Sequence, residues 1–226
     1  MSKVTEAVTL FLETINLKTG DAVYIGKFHP FHKGHLEVVK AALKNNKVKR
    51  VIVYVSKKQP NTNATSWKDF GAAASLTKIK AKEFTHPFSL DLRMAMVREG
   101  TKGLSVVVLP GDVSDFWNQV AELEEQNKGK HEEQQEKITL IGGPDRAAYG
   151  ENPNVDFVSV PEIGEGLRAT EIRKLFFQYA FDDDEAKLQK ALTMVPWSST
   201  SLVKKVKDEL QSLSKTAEKL TAPKSK

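Results

Sequence analysis

The sequence predicts an α/β protein: a Rossmann-like, doubly wound parallel sheet of about five strands with a helical C-terminal region. Three observations carry that expectation. Short runs such as Val51-Ile-Val-Tyr-Val55 are almost wholly apolar, as strands covered on both faces should be. They alternate with stretches whose apolar residues recur at helical spacing. The last third of the chain has only the helical spacing.

Taken in order, residues 4–17 have the spacing of a short helix, and 21–25 (DAVYI) read as a buried strand. A turn rich in glycine, proline and histidine follows. An amphipathic helix then runs from about His35 to Lys44 and ends at Asn45-Asn46. With the strand at 51–55 this makes a βαβ unit. Residues 56–84 are polar, then alanine-rich, without a strand; connections of that length tend to be functional or disordered. Further helices are expected at 89–99, 115–125, 170–179, 184–194 and 199–213, and further strands at 104–109, 137–141 and 155–160. Residues 124–137 are polar throughout and read as a solvated insertion. Ser198 or Ser199 reads as the cap of the last helix.

A chain of 226 residues suits one domain with appended elements. The expected division is 1–195 for the main domain, with polar insertions at about 57–84 and 124–137, and 196–226 for a C-terminal helix and basic tail. There is no cysteine, which excludes a disulfide framework and a thiolate metal site. No segment approaches the roughly 18 apolar residues of a membrane helix, and the first residues lack a signal-peptide pattern. An intracellular, cytoplasmic location without a membrane partner is the expectation. The net charge is +5, yet residues 204–226 alone carry seven lysines against Asp208, Glu209 and Glu218. The charge therefore belongs to a solvated tail, and no nucleic-acid partner is expected from it.

The chemistry concentrates in residues 24–39, YIGKFHPFHKGHLEVV. This turn lies where a parallel strand ends and a helix begins, the usual ligand side of such a sheet. Gly26 lets the backbone turn, Pro30 stiffens it, and Gly34 allows close approach at the helix start. The amides of a helix N-terminus suit phosphate. His32 and His35, three apart, reach one pocket and can donate hydrogen bonds to a phosphate oxygen as charge develops. Metal ligation is the other reading of these histidines, but no carboxylate stands at a matching position. The loop is neither a Walker A nor a GxGxxG sequence.

GKFHPFHKGH resembles the GxFxPxHxGH signature of the nucleotidyltransferase superfamily, with His32-Lys33-Gly34-His35 as its HxGH. Its members move a nucleotidyl group from ATP or CTP to a phosphate or alcohol and release pyrophosphate. GLRATEIRKL, residues 166–175, is similar to the second motif of that superfamily, ISSTxIR, with Arg168 where a serine is usual. The resemblance implies that His32, His35 and Arg173 are catalytic. It also implies that Gly26, Lys27, Phe28, Gly34, Arg168 and Thr170 bind the nucleotide. Thr170 reads as the cap of the following helix.

Further segments resemble nicotinamide-mononucleotide adenylyltransferases, the archaeal type most closely. HPFSLDLRMAMV, residues 86–97, is similar to their NPFTxxER-M segment, with Leu92 in place of glutamate. PGDVSDFWNQV, residues 110–120, resembles the segment that places a tryptophan against the nicotinamide ring. The resemblance makes Arg93 and Trp117 acceptor-binding candidates, since an aromatic face can stack on a cationic ring. An ordinary core position on an amphipathic helix is the other reading of Trp117. Lys27 replaces the arginine of that group, which removes a bidentate phosphate grip. The partners so implied are ATP and a phosphorylated small-molecule acceptor, with Mg²⁺ held mainly through the ATP phosphates and no protein metal site; a homo-oligomer is allowed. The rival functions are a cytidylyltransferase or pantetheine-phosphate adenylyltransferase, toward the first of which Glu165-Gly166 points. Of another class is a nucleotide- or RNA-binding protein on the same fold.

Overall fold

The computed structural model describes residues 17, 19–57, 87–160 and 168–221, without the side chains of 144–146 and 216–221. The expected helix at 4–17, the long connection at 57–84 and Glu165-Gly166 lie outside the described residues, apart from Leu17 and Lys57.

Five strands form one parallel sheet: β1 (Asp21–Gly26), β2 (Arg50–Val55), β3 (Val106–Pro110), β4 (Ile138–Gly142) and β5 (Val155–Ser159). Their order is β3-β2-β1-β4-β5. The chain runs outward from β1 through β2 to β3, then returns to the other side of β1 as β4. The direction of winding therefore reverses beside β1, and the crevice beyond the carboxyl ends of β1 and β4 is the expected ligand position. Register is continuous across the centre, with Val23 opposite Ile52 on one side and Leu140 on the other.

Alternation along β2 explains why its run is apolar throughout. Val51, Val53 and Val55 face one core, while Ile52 and Tyr54 face the other. The first core is covered by α1 (Lys33–Leu43), α2 (Leu90–Gly100), α4 (Ala169–Asp182), α5 (Glu185–Leu192) and α6 (Thr200–Thr221). The second is covered by α3 (Val113–Asn127), through Phe116, Val120 and Leu123. Fully burying a Val, Ile or Phe side chain stabilises by about 1.5–3 kcal/mol, so a strand apolar on both faces holds two layers at once. At the amino edge, Arg50 donates to both carboxylate oxygens of Asp21, at 2.9 and 2.6 Å, tying β1 to β2.

The C-terminal helix is part of this core. Leu202, Val206 and Leu210 of α6 are buried in the same cluster as β1 and β2. Two reciprocal caps clasp α6 to α2. Glu209 of α6 accepts from the amide (2.9 Å) and hydroxyl (2.5 Å) of Ser89, the N-cap of α2. Glu99 of α2 accepts from the amides of Ser198 (2.8 Å) and Ser199 (2.7 Å), just before α6. The Ser199 hydroxyl in turn accepts from Leu202, as its expected capping role requires.

The polar stretch after α3 is more ordered than its composition suggests. Asn127, buried at the end of α3, donates to Glu136 O (2.8 Å) and to Asn154 Oδ1 (3.1 Å) and accepts from Glu136 N (3.1 Å). One side-chain amide thereby closes the excursion from 128 to 136 onto the sheet. No described helix is long and apolar enough to cross a membrane.

Candidate active site

The loop from β1 to α1 stands at the reversal of winding. Gly26 is required there: a Cβ would lie 2.5 Å from the Phe28 ring. Phe28 adopts φ +52°, rare for a non-glycine residue. Its ring, 2% exposed, sits edge-on to Tyr24, Phe31 and His35. Such a backbone persists only where its surroundings hold it. The peptide His29–Pro30 is cis.

His32 is the N-cap of α1. Its Nδ1 accepts from Gly34 N (3.1 Å), while His35 Nδ1 accepts from His32 N (3.2 Å). This is a capping box in which imidazoles stand where Ser and Glu usually do. It has a chemical consequence. A ring nitrogen that accepts from a backbone amide carries no proton, so each ring holds its proton on Nε2. The ring centroids are 3.7 Å apart. Burial, then the neighbouring Arg173 guanidinium, lower the pKa of His32 to about 4. Burial, then His32, push His35 well below its ordinary value. Both rings are neutral donors at pH 7.

The expected helix-start amides are used differently. Gly34 N is taken by His32, and Lys33 N donates to Met194 O at 3.1 Å. An anion at this helix start would therefore meet the Nε2–H groups. Each lies one imidazole beyond a backbone group, and donor chains of this kind polarise one another.

Arg173, at the start of the second turn of α4, faces the same loop. Nη1 donates to His29 O (2.7 Å) and Nη2 to Thr170 Oγ1 (3.1 Å), while the buried Nε has no hydrogen-bond partner among the described residues. Burial lowers its pKa to about 10. Among the described residues no carboxylate makes an ion pair with it. A buried cation with only neutral partners is a standing demand for an anion. Thr170 is not the helix cap that was expected. The N-cap is Arg168, whose extended backbone precedes the helix and whose carbonyl accepts from Glu171 and Ile172, so Thr170 falls within the first turn and serves Arg173.

The remaining candidates fall in three places. Lys27, in the loop after β1, and Arg168, the N-cap of α4, are exposed. Arg93 faces the main chain with Nε and Nη1. It is 1% exposed, and its guanidinium donates to Phe88 O (3.2 Å), Ser89 O (3.3 Å), Lys27 O (2.8 Å) and Ser56 O (2.9 Å). These bonds tie the carboxyl ends of β1 and β2 to the start of α2. Trp117, half-buried on α3, meets Phe116 and Tyr149 edge-on at 5.2 and 5.7 Å. It packs on the α3 core, the opposite sheet face from the histidines.

Sequence reasoning passed over two groups. Asp112 Oδ1 accepts from Ser56 Oγ (2.5 Å) and Lys57 N (3.1 Å), locking the ends of β2 and β3 together. Trp197, 1% exposed, donates its indole N–H to Phe31 O at 2.8 Å. A proline-tryptophan pair after the last short helix was the one sequence signal of the second.

The model of the family described as cytidylyltransferase-like matches residues 23–175, from within β1 to α4. The chain belongs to that family. The match spans both motifs that form the site, His32 to His35 and Thr170 to Arg173. No curated protein matches the chain. Similar solved structures include a bifunctional NMN adenylyltransferase/ADP ribose pyrophosphatase from Francisella tularensis. It is 21% identical, with 91% of this chain and 58% of that chain covered and a TM-score of 0.45. A second structure of that description, complexed with AMP and a Mn ion, is 21% identical over 91% of this chain and 57% of that chain, with a TM-score of 0.44. This cytidylyltransferase-like chain thus spans less than two thirds of the length of either.

Proposed function

We propose that the protein is a nucleotidyltransferase that moves AMP from ATP to a mononucleotide phosphate, nicotinamide mononucleotide in the reading favoured here, and releases pyrophosphate. One observation carries this: two neutral imidazoles with their protons on Nε2 stand beside a buried guanidinium that has no counter-ion among the described residues, all at the crevice where the sheet reverses. That constellation suits phosphate oxygens whose charge grows during transfer.

In the proposed step an oxygen of the acceptor phosphate attacks the α-phosphorus of ATP in line. The new P–O bond forms as the bond to the α,β-bridging oxygen breaks, and pyrophosphate leaves with that electron pair. No group on the protein need become covalently attached. His32 and His35 donate from Nε2 to oxygens whose charge grows in the transition state. Arg173 offsets the charge of the leaving pyrophosphate. Because the imidazoles begin neutral, they stabilise the charge without first being neutralised by solvent. Gly26 leaves room for the Phe28 ring, which packs edge-on to His35, and Gly34 keeps the helix start free of a side chain. Lys27 and Arg168, both exposed, draw anions in. No group of three or more metal-ligating side chains occurs among the described residues, and Mg²⁺ would come bound to the ATP phosphates, lowering their charge.

The choice of acceptor rests on the resemblance at residues 86–97 and 110–120 and on Trp117. Its indole packs with Tyr149 on the sheet face opposite the histidines, so a cationic pyridinium ring would meet it across the carboxyl ends of the strands. The test is pyrophosphate release from ATP or CTP, each with nicotinamide mononucleotide, phosphopantetheine or glycerol phosphate. Turnover with ATP and nicotinamide mononucleotide is expected, with Trp117→Ala raising the acceptor KM. Turnover with CTP and an alcohol phosphate instead would overturn the acceptor and keep the step.

A further inference from the structure

The loop that carries the histidines is held by an unusual arrangement. Its alternate carbonyls, those of Lys27, His29 and Phe31, each accept from a side-chain N–H of a distant residue. Arg93 Nη1 takes Lys27 O (2.8 Å), Arg173 Nη1 takes His29 O (2.7 Å) and Trp197 Nε1 takes Phe31 O (2.8 Å). The three donors come from α2, from α4 and from the segment between α5 and α6. Each bond turns a carbonyl, negative at its oxygen, toward protein.

Around His32 the hold is double. Phe31 O, on one side of it in sequence, is taken by the Trp197 indole. Lys33 N, on the other side, donates to Met194 O at 3.1 Å. Met194 and Trp197 belong to one short turn, MVPW. That turn is wedged in place: Trp197 is 1% exposed and lies parallel to Phe176, and a Cβ on Gly100 would meet Pro196 at 2.8 Å and Phe31 at 3.0 Å. The Nε2 direction of His32 follows from its backbone, because its Nδ1 is tied to Gly34 N two residues on. Fixing the peptides before and after His32 therefore fixes where its donor points.

We propose that Trp197 is a positioning residue for nucleotidyl transfer. It touches no substrate; it acts through the Phe31 carbonyl to hold His32 in the tautomer and orientation that donate to a phosphate oxygen. The proposal rests on the reading of the site given above and deepens it. It also makes the boundary expected at residue 195 a poor place to cut the chain, since Met194 and Trp197 form one clamp.

Trp197→Phe keeps an aromatic ring against Phe176 and removes only the N–H donor. Val206→Ala, on a buried face of α6 and outside the clamp, controls for a mere loss of stability. Three readouts on the full chain are needed: the ¹⁵N imidazole spectrum of His32, binding of inorganic triphosphate, and kcat and KM for ATP with the acceptor found above. The expected result for Trp197→Phe is a His32 spectrum shifted from pure Nε2–H toward a mixture of tautomers. Triphosphate binding should weaken several-fold and kcat fall about tenfold, with the ATP KM less changed. Val206→Ala should lower the thermal midpoint and leave the His32 spectrum alone. A Trp197→Phe protein with the wild-type His32 spectrum and triphosphate affinity overturns the proposal, whatever its melting temperature. If wild type turns over no nucleotide pair, the nucleotidyltransfer reading fails, while the spectrum and triphosphate binding still decide the role of Trp197.

Discussion

Two histidines three apart at a helix start titrate near neutral pH in most settings, and here they do so only in acid. In the unfolded chain each titrates near 6.5. In the fold His32 titrates at about 4 and His35 lies well below its ordinary value. The folded state thus binds fewer protons than the unfolded state in the window between. Stability from this pair is fully present above about pH 6.5 and is lost as pH falls toward about 4, by on the order of 3 kcal/mol for His32. The ring signals of His32 should stay fixed from pH 8 to pH 5.5 in an NMR titration of the ligand-free protein. A midpoint near 6.5 would contradict the neutral-donor account. Arg93, an acceptor-phosphate candidate by resemblance, also serves four main-chain carbonyls through Nε and Nη1. Nothing in a linear pattern says whether a cation will face a ligand or the main chain, because carbonyl positions are set by the turn and not by side-chain identity.

At the scale of elements, local pattern was a good guide. All five strands and all six described α-helices lie where apolar periodicity placed them, to within a few residues except at the end of α6, because two-sided burial and amphipathic burial each leave a strong periodic trace. What periodicity could not show is how the elements are fastened. The clasp of α2 and α6 depends on Glu99 and Glu209, which in sequence are two more charges on solvated helix faces. Each glutamate satisfies amides at the start of the other helix. Replacing Glu99 or Glu209 by Ala should each cost about 1 kcal/mol, read as a lower denaturant midpoint with unchanged m. The double variant should be near additive, the two caps lying at opposite ends of the pair. An unchanged midpoint in both single variants would show that water replaces these caps without cost. The 124–137 stretch shows the same limit: its composition is that of a solvated segment, and the buried Asn127 that closes it is one residue among many polar ones.

For the whole molecule, the parallel sheet puts the ends of β1 and β4 side by side, and the motifs at residues 32–35 and 170–173 meet there although some 140 residues separate them. The sheet and the first motif were legible because a βαβ unit and a ten-residue loop are local signals. The meeting with Arg173 was legible only through the resemblance, and the clamp from Trp197 not at all, since a long-range hydrogen bond leaves no periodicity. The account's central claim is that these groups move a nucleotidyl unit at the α-phosphorus. The measurement that tests it most directly follows label from ATP carrying ³²P at the α position into product, with acceptor present, for wild type and for His35→Ala. The account predicts label in a dinucleotide product with wild type, and a rate lower by about 10² to 10³ in the variant, whose circular dichroism spectrum stays that of wild type. Equal rates in the two proteins, or label released only as free phosphate, would contradict it.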